Sequence, residues 1–203
     1  MYGDAGAFQV SRSLRFNSGD SAYLSRTPSV AGNRTTWSFS AWIKRSKLGG
    51  YYRFFTGTSG NSDDNWTALF FNSSDQLTIG GYTAFFRTSN SVYRDCSAWY
   101  HLVVIADLNN ANNALKFRAW INNAEVTWSS TSTNPTTTGI NAANNHTIGA
   151  EQSPNNGALN SYFDGYLANI HFIDGQALTP ASFAETDATT GQWIPKAYSG
   201  SYG

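Results

Sequence analysis

Acid–base chemistry in this 203-residue chain would have to come from three glutamates (Glu125, Glu151, Glu185), the aspartates and three histidines (His101, His146, His171). Cleaving a glycosidic bond takes two carboxylates that flank it, one as acid and the other as base or nucleophile. On a strand, two carboxylates share a face only at a spacing of two or four. Glu185 and Asp187 have that spacing, but they fall in the C-terminal tail, outside the expected strands. A serine hydrolase would need its nucleophile on a sharp strand-to-helix turn, and no Gly-x-Ser-x-Gly elbow occurs. His101 sits in the most apolar strand pattern, where a hydrogen-bonded core histidine is the expected reading. His146 and His171 lie in or beside other strands. No catalytic residue is assigned, and the chain is expected not to be an enzyme.

Loop oxygens offer a second chemistry. Asp63-Asp64-Asn65 and Asp107/Asn109/Asn110 are clusters that could present carboxylate and carbonyl oxygens to Ca2+. Solvated loop acids are the alternative, so no metal ligand is assigned and no other cofactor is expected. Ligand binding would need aromatic platforms beside hydrogen-bonding groups. Tyr51 and Tyr52, after a basic loop, and Trp66, beside Asp63 and Asp64, form the candidate ligand-binding set. The same aromatics would serve equally well to pack strands together. Tyr82, Phe85 and Phe86 read as a third option, an exposed protein–protein interface.

Composition narrows the classes. Basic and acidic side chains balance at 13 each, so there is no electrostatic footprint for nucleic acid. The single Cys96 has no disulfide partner, and no Cys/His spacing marks a zinc site. The longest apolar run, Leu102–Ala106, is five residues, far short of a membrane span. Met1-Tyr2-Gly3-Asp4 has no basic head and no apolar run behind it, so no signal peptide is read. A low-charge, Asn/Ser/Thr-rich β chain without a leader is expected in a virion, which reaches the outside when the host lyses.

The elements that must position these residues are strands. Trp37–Lys44 alternates, with Trp37, Phe39, Ala41 and Ile43 on the core face. Trp42 falls on the other face, either covered by an outer element or open to a ligand. Trp99–Asp107 is apolar on both faces and reads as a central strand buried on both sides. Leu115–Ile121 returns beside it, Asn122-Asn123 makes a hairpin turn, and Val126–Trp128 continues the pair. Ser129–Asn145 reads as a long surface loop. Phe163–Phe183 reads as a closing strand between two Asp-Gly turns, ending on a Thr179 cap with Pro180 at the first helical position. Short strands with turn signals every eight to twelve residues predict an all-β antiparallel sandwich, a jelly roll of about a dozen strands with at most one short helical turn. The expected organisation is an N-terminal arm (1–11), the sandwich (12–184) and a C-terminal tail or linker (185–203), which could lead into a further domain.

Several of these segments together resemble the laminin-G-like, concanavalin A-like jelly-roll family. They are Ser13–Asn17, Trp37–Lys44, Trp99–Val104, Trp120–Asn123, His146–Gly149 and Phe163–Leu178, in the family's order. The family's acidic pair in the last strand is replaced by Ala168 and Asn169, and its hairpin glycine by Asn123. Arm, jelly roll and the closing GQWIPKAYSGSYG are also similar to structural proteins of tailed phages, marine ones especially. The resemblance implies a module binding a glycan or host-surface receptor, other virion proteins, or both, as a tail fibre, adhesin or capsid decoration. It leaves room for a homo-oligomer, and implies as alternative a polysaccharide-cleaving enzyme of the same fold.

Overall fold

Alternating side chains build two sheets, and the apolar faces of these sheets meet. The computed structural model describes residues 8–131 and 134–203, with the side chains of Phe85, Ser130 and Thr131 outside that set. The first strands are β1 (Leu14–Phe16), β2 (Leu24–Arg26), β3 (Thr36–Arg45), β4 (Tyr52–Thr58), β5 (Trp66–Phe71) and β6 (Gln76–Gly80). Then come β7 (Phe85–Val92), β8 (Tyr100–Asp107), β9 (Phe117–Ile121), β10 (Ala124–Glu125), β11 (Trp128–Thr131) and β12 (His146–Ile148). The last are β13 (Glu151–Gln152), β14 (Leu159–Asn160), β15 (Gly165–Asp174), β16 (Ala184–Thr186) and β17 (Trp193–Pro195). One sheet has six strands in the order β1-β15-β3-β8-β9-β10, and the other seven in the order β11-β7-β6-β5-β4-β12-β2. Every ladder within them is antiparallel, as the short turns require. The chain is an all-β jelly-roll sandwich. Helical geometry among the described residues is confined to 3₁₀ turns, Pro180–Ser182 among them, and no helix is long and apolar enough to cross a membrane.

Trp37, Phe39, Ala41 and Ile43 of β3 are all fully buried, as their alternation predicts. They meet Leu102 and Val104 of β8 on their own sheet and Phe54, Phe55, Leu69 and Phe71 of the other. Phe39 stacks on Phe55 with ring centroids 4.9 Å apart. Each such side chain contributes about 1.5–3 kcal/mol when taken out of water, so this aromatic layer dominates the stability.

The closing strand β15 lies between β1 and β3 and carries one extra residue. Ala168 pairs with Trp42 and His171 with Ser40, so three steps on β15 match two on β3. Asn169 absorbs the extra residue with φ +47°. At the start of β15, Asp164 is buried and accepts hydrogen bonds from Ser18 N (3.0 Å) and Ser18 Oγ (2.8 Å), tying the first segment to the last. Next to it a Cβ on Gly165 would collide with the Lys44 carbonyl oxygen, at φ +151°. Only glycine fits there.

The outer face of the six-stranded sheet is not left to water. Val103, Ile105 and Trp120 pack with Ile173 and Phe183 in a second core, with Leu178 and Tyr198 against it. The covering layer is the stretch expected as a tail or linker. β16 pairs with β17, Lys196 N donates to the Phe183 carbonyl (2.9 Å), and Asp174 N donates to the Tyr202 carbonyl (2.9 Å). Residues 185–203 are therefore docked along the sheet rather than free of it, because the apolar outer face of β8 needs a cover. Glu185 and Asp187 belong to this docked layer rather than lying outside the sandwich.

Two local expectations also need correction. Val126–Trp128 continues the β9–β10 pair only at Val126, whose N–H donates to the Ala119 carbonyl (2.8 Å). The chain crosses there to the other sheet, where β11 pairs with β7 (Trp128↔Ser89). Nor is Ser129–Asn145 only a surface loop. Thr138, Ile140 and Ala142 are buried, and Trp37 Nε1 donates to Thr138 Oγ1 at 2.9 Å. The polar composition hid a plug whose hydroxyl satisfies a core indole. Ser132 and Thr133 of that loop lie outside the described residues. Thr179 precedes the turn as expected, but its side chain makes no cap hydrogen bond.

His101 reports on the docked layer. The Trp193 Nε1–H donates to His101 Nδ1 (3.0 Å), so Nε2 carries the proton and donates to Ser40 Oγ (3.0 Å). Burial, and secondarily His171, push the His101 pKa down from 6.5 to about 4. The folded protein thus binds fewer protons than the unfolded chain, and this stability is intact above pH 6.5. It falls as pH drops from 6.5 towards 4, by about 3 kcal/mol in all. His146 and His171 are shifted in the same direction, also mainly by burial. Urea unfolding midpoints should decline steadily across that window, and a flat profile would contradict a neutral, docked His101. Gly165→Ala should lower stability by at least about 2 kcal/mol in the same assay at pH 7, because backbone must move to admit the methyl group.

Candidate functional site

A broad concavity lies where the two sheets part, along the edge formed by β2 and β12. Three residues in one row make its floor: Leu24 of β2 faces Ile148 of β12, which faces Phe55 of β4. Phe172 of β15 closes the far side, its ring 5.7 Å from that of Phe55. The segment containing Pro28, Val30 and Gly32 forms one wall, and Tyr202 another. The volume enclosed is about 870 Å³, within the range of small-ligand sites. Leu24 is 46% exposed and Val30 76% exposed, so apolar surface stands open to solvent at the mouth.

Polar groups ring this floor. Asp174 Oδ1 accepts from the backbone N–H of Asn33 (2.8 Å) and from Asn141 Nδ2 (2.6 Å). A Cβ on Gly32 would run into both Asn141 Nδ2 and Asp174 Oδ2, so glycine lets the wall approach that pair. Arg26 stands exposed on the edge strand. His146 lines the groove but is already committed. Its Nε2 accepts from Asn141 N (2.7 Å), so its Nδ1–H donates to the Asn144 carbonyl (2.8 Å). Burial keeps this ring below its ordinary pKa, which suits a neutral pin for the 141–146 segment. What the groove offers is apolar and aromatic surface with fixed hydrogen-bonding groups around it, an arrangement for holding a ligand.

The residues singled out from sequence lie elsewhere, and they do not form one site. Asp63 accepts from Thr83 N (2.7 Å) and Thr83 Oγ1 (2.8 Å). Asp64 Oδ1 accepts from Thr136 N (2.6 Å) and Thr137 N (3.2 Å). Burial raises the Asp64 pKa, but these N–H groups and Arg34 outweigh it and hold the carboxyl below its usual value. The two carboxylates thus cap different loops instead of converging, which does not fit Ca2+. Asp107 likewise receives Asn110 Nδ2 (3.1 Å), and Asn109 donates to Thr35 Oγ1 (3.1 Å). Among the described residues no group of three or more His, Cys, Asp and Glu side chains could hold a metal ion.

Trp66 is not an exposed platform: it is 4% exposed, on the outer face of the seven-stranded sheet with Ala68 and Phe70. Tyr52 turns to the opposite face and packs against the main core. Tyr51 stays 45% exposed beside Phe70. Sequence reasoning missed what gathers them, namely Arg53, whose guanidinium lies 5.7 Å from the rings of both Tyr51 and Trp66 and 4.5 Å from Phe70. Of the expected interface aromatics, Phe86 is buried and stacked on Phe117 (5.5 Å), and Tyr82 is exposed. The Phe85 side chain lies outside the described residues. Trp42 is covered: it stacks on His101 (4.9 Å) and shares a cavity of about 330 Å³ with Trp99, Pro195 and the arm residues around Arg12.

Two of the three glutamates are spent on arginines. Glu125 takes Arg118 Nε and Nη2 at 2.7 Å each, and Glu151 Oε2 lies 2.5 Å from Arg53 Nε. Neither faces a second carboxylate across the groove.

Comparison with known proteins agrees with this architecture. The sequence matches the family described as the concanavalin A-like lectin/glucanases superfamily over residues 16–184. A search of the curated proteins finds no match. Among solved structures, the heptameric SAP-like pentraxin from Limulus polyphemus superposes with a TM-score of 0.56 at 18% identity, over 85% of this chain and 76% of that one. The NanB sialidase from Streptococcus pneumoniae gives 0.58 at 14% identity over 88% of this chain, which spans only 29% of the sialidase chain. Domain 4 of the arabinanase AbnA from Geobacillus stearothermophilus, in complex with arabinotriose, gives 0.52 at 22% identity over 73% of this chain and 65% of that one. At such identities these structures attest the fold alone. The family match covers most of the length from β1 to β16, and the chain belongs to the concanavalin A-like lectin/glucanase superfamily.

Proposed function

We propose that this chain is a glycan-binding module with no hydrolytic machinery of its own, and that the groove between β2, β12 and β15 is its binding site. The groove carries the reading: an open apolar and aromatic floor ringed by Arg26, Asn141 and Asp174 suits a sugar, which is apolar on its ring faces and polar around its edge. The arabinotriose held by the arabinanase domain lends support, as a case of this fold binding an oligosaccharide. Two of the three glutamates sit in ion pairs with arginine, which leaves hydrolysis short of the acid and base it needs.

The setting we assign is a virion, where the module would serve as a fibre, adhesin or capsid decoration binding a host-surface glycan or neighbouring particle proteins. That assignment rests on the similarity of arm, jelly roll and closing segment to tailed-phage structural proteins.

Glycan-array screening followed by titration tests the binding reading. A neutral oligosaccharide should bind, and Arg26→Ala and Val30→Ser should each weaken it at least tenfold. Both side chains are exposed, so melting temperatures should stay close to wild type. Absence of any glycan ligand, with tight binding to a capsid or tail protein, would leave only the structural role. Release of reducing ends from a polysaccharide, abolished in Glu151→Gln, would instead establish the enzyme reading.

A further inference from the structure

The outer face of the seven-stranded sheet holds a second arrangement that the groove does not explain. Arg53, Phe70 and Thr78 are neighbours across β4, β5 and β6, with Thr56 beside Ala68 and Thr58 beside Trp66 on the flanking rows. Thr56 and Thr78 are at most 1% exposed, and Trp66 and Arg53 at most 9%. Among the described residues, Thr56 Oγ1, Thr78 Oγ1, Trp66 Nε1 and Arg53 Nη1 are all buried without a hydrogen-bond partner. Buried polar groups are normally paired, so four on one face call for an explanation. All four can donate, and Trp66 and Arg53 can do nothing else. The face is built for an acceptor.

One acceptor is already there. Glu151 Oε2 pairs with Arg53 Nε, from the short β13–β14 hairpin that crosses this face. Burial still pushes the Arg53 pKa down, although Glu151 beside it works in the opposite direction. Glu151 meets Nε and leaves Nη1 without a partner. The hairpin is lightly held at its tip. Its Asn155 Oδ1 accepts from Asn61 Nδ2 and Tyr82 Oη, both at 2.9 Å and both at exposed positions, and Asn145 Nδ2 reaches Gln152 Oε1 at 2.7 Å. The tip is thus fastened by exposed polar contacts, while the base is held by the Arg53–Glu151 pair and by Arg53 N donating to the Ser161 carbonyl (3.2 Å), so the tip opens at lower cost than the base.

We propose that this face is a lidded second site for a sugar that carries a carboxylate, with Arg53 as its anion partner and Glu151 as a built-in competitor. The ligand carboxylate takes the place of Glu151 on the guanidinium, where planar oxygens fit the planar fork. The unpartnered donors of Trp66, Thr56 and Thr78 then meet ring hydroxyls and carboxylate oxygens. The Trp66 and Tyr51 rings, which flank the arginine, give the sugar its apolar contact and favour it over a bare acid. This site stands apart from the groove and does not depend on it.

The test is titration of digalacturonate into wild type, Glu151→Gln and Asn155→Ala, with lactose and succinate as controls and the Trp66 indole N–H followed by NMR. Digalacturonate should shift that resonance, and Glu151→Gln should bind it at least tenfold more tightly because the competitor is gone. Asn155→Ala loosens only the lid tip, so its tighter binding supports the proposal even if Glu151→Gln folds poorly. Hydrogen exchange over 151–160 should quicken in the complex. Equal affinity in all three proteins, or no movement of the Trp66 signal, overturns the lidded site. An equal response to succinate overturns its selectivity for a sugar, and an equal response to lactose overturns the role of the anion. Arg26→Ala should leave this binding untouched, which separates its failure from that of the groove.

Discussion

β8 is apolar on both faces, and this one constraint organises the molecule. Leu102 and Val104 enter the core between the sheets, while Val103 and Ile105 point out and would face water on a bare sandwich. Burying such side chains is worth about 1.5–3 kcal/mol each, several times an exposed ion pair, so the chain must supply a cover. It does so with the segment after β15. Phe183 and Tyr198 lie over Val103 and Ile105, and Phe183 stacks on Tyr198 at 5.2 Å. The polar groups trapped beneath then have to be satisfied in a neutral state. Trp193 to His101 to Ser40 is one such chain, and Tyr202 to His171 to Asn169 is another: Asn169 Oδ1 can only accept, so His171 Nδ1 accepts from Tyr202.

The other sheet meets the same problem on a smaller scale. Trp66, Ala68 and Phe70 form an apolar row on its outer face, and Arg53 with the Glu151 hairpin lies across it. With both broad faces largely covered, an open margin of the sandwich is the edge between β2, β12 and the end of β15. The groove lies there because two sheets pack together while a short edge strand does not reach the opposite sheet. Asp164, Asp75, Glu125 and Glu151 are taken up by basic groups, and Asp75 by a backbone N–H donor as well. The charges of this protein mostly hold loops and strands in place.

The sandwich was legible because burial on one face of a strand writes a period of two, and Trp37–Lys44 shows it plainly. The same signal in Trp99–Asp107 announced burial on both sides, yet could not name the cover. A pattern reports that a face is hidden, and what hides it lies some eighty residues further along the chain. The groove left no motif because its walls come from five separated segments, each unremarkable alone. Asp63 and Asp64 were ambiguous for a different reason. A loop cap and a calcium ligand both want an acid in a tight polar turn, and only the direction of each carboxylate distinguishes them. Trp66 misled for a third reason, because a period of two says nothing about whether the outer face is bare or lidded.

One position of the closing strand shapes the groove. Ala168 and Asn169 stand where the resemblance implies an acidic pair, and Asn169 is the residue that takes the left-handed conformation. Asparagine tolerates it because its short amide can bond locally, here as acceptor from His171 Nε2–H at 3.0 Å. One extra residue reverses the facing of everything after it. Before the bulge, Leu167 points into the core and Ala168 points out. After it, Phe172 points in beside Phe55, while His171 and Ile173 point out beneath Tyr202 and Phe183. If the alternation ran on unbroken instead of bulging at Asn169, His171 would fall opposite Phe39 and face the core, and Phe172 would turn away from the groove. The aromatic wall of the groove and the docking of the C-terminal layer therefore follow from a single inserted position, and the two cannot be altered separately by changing it.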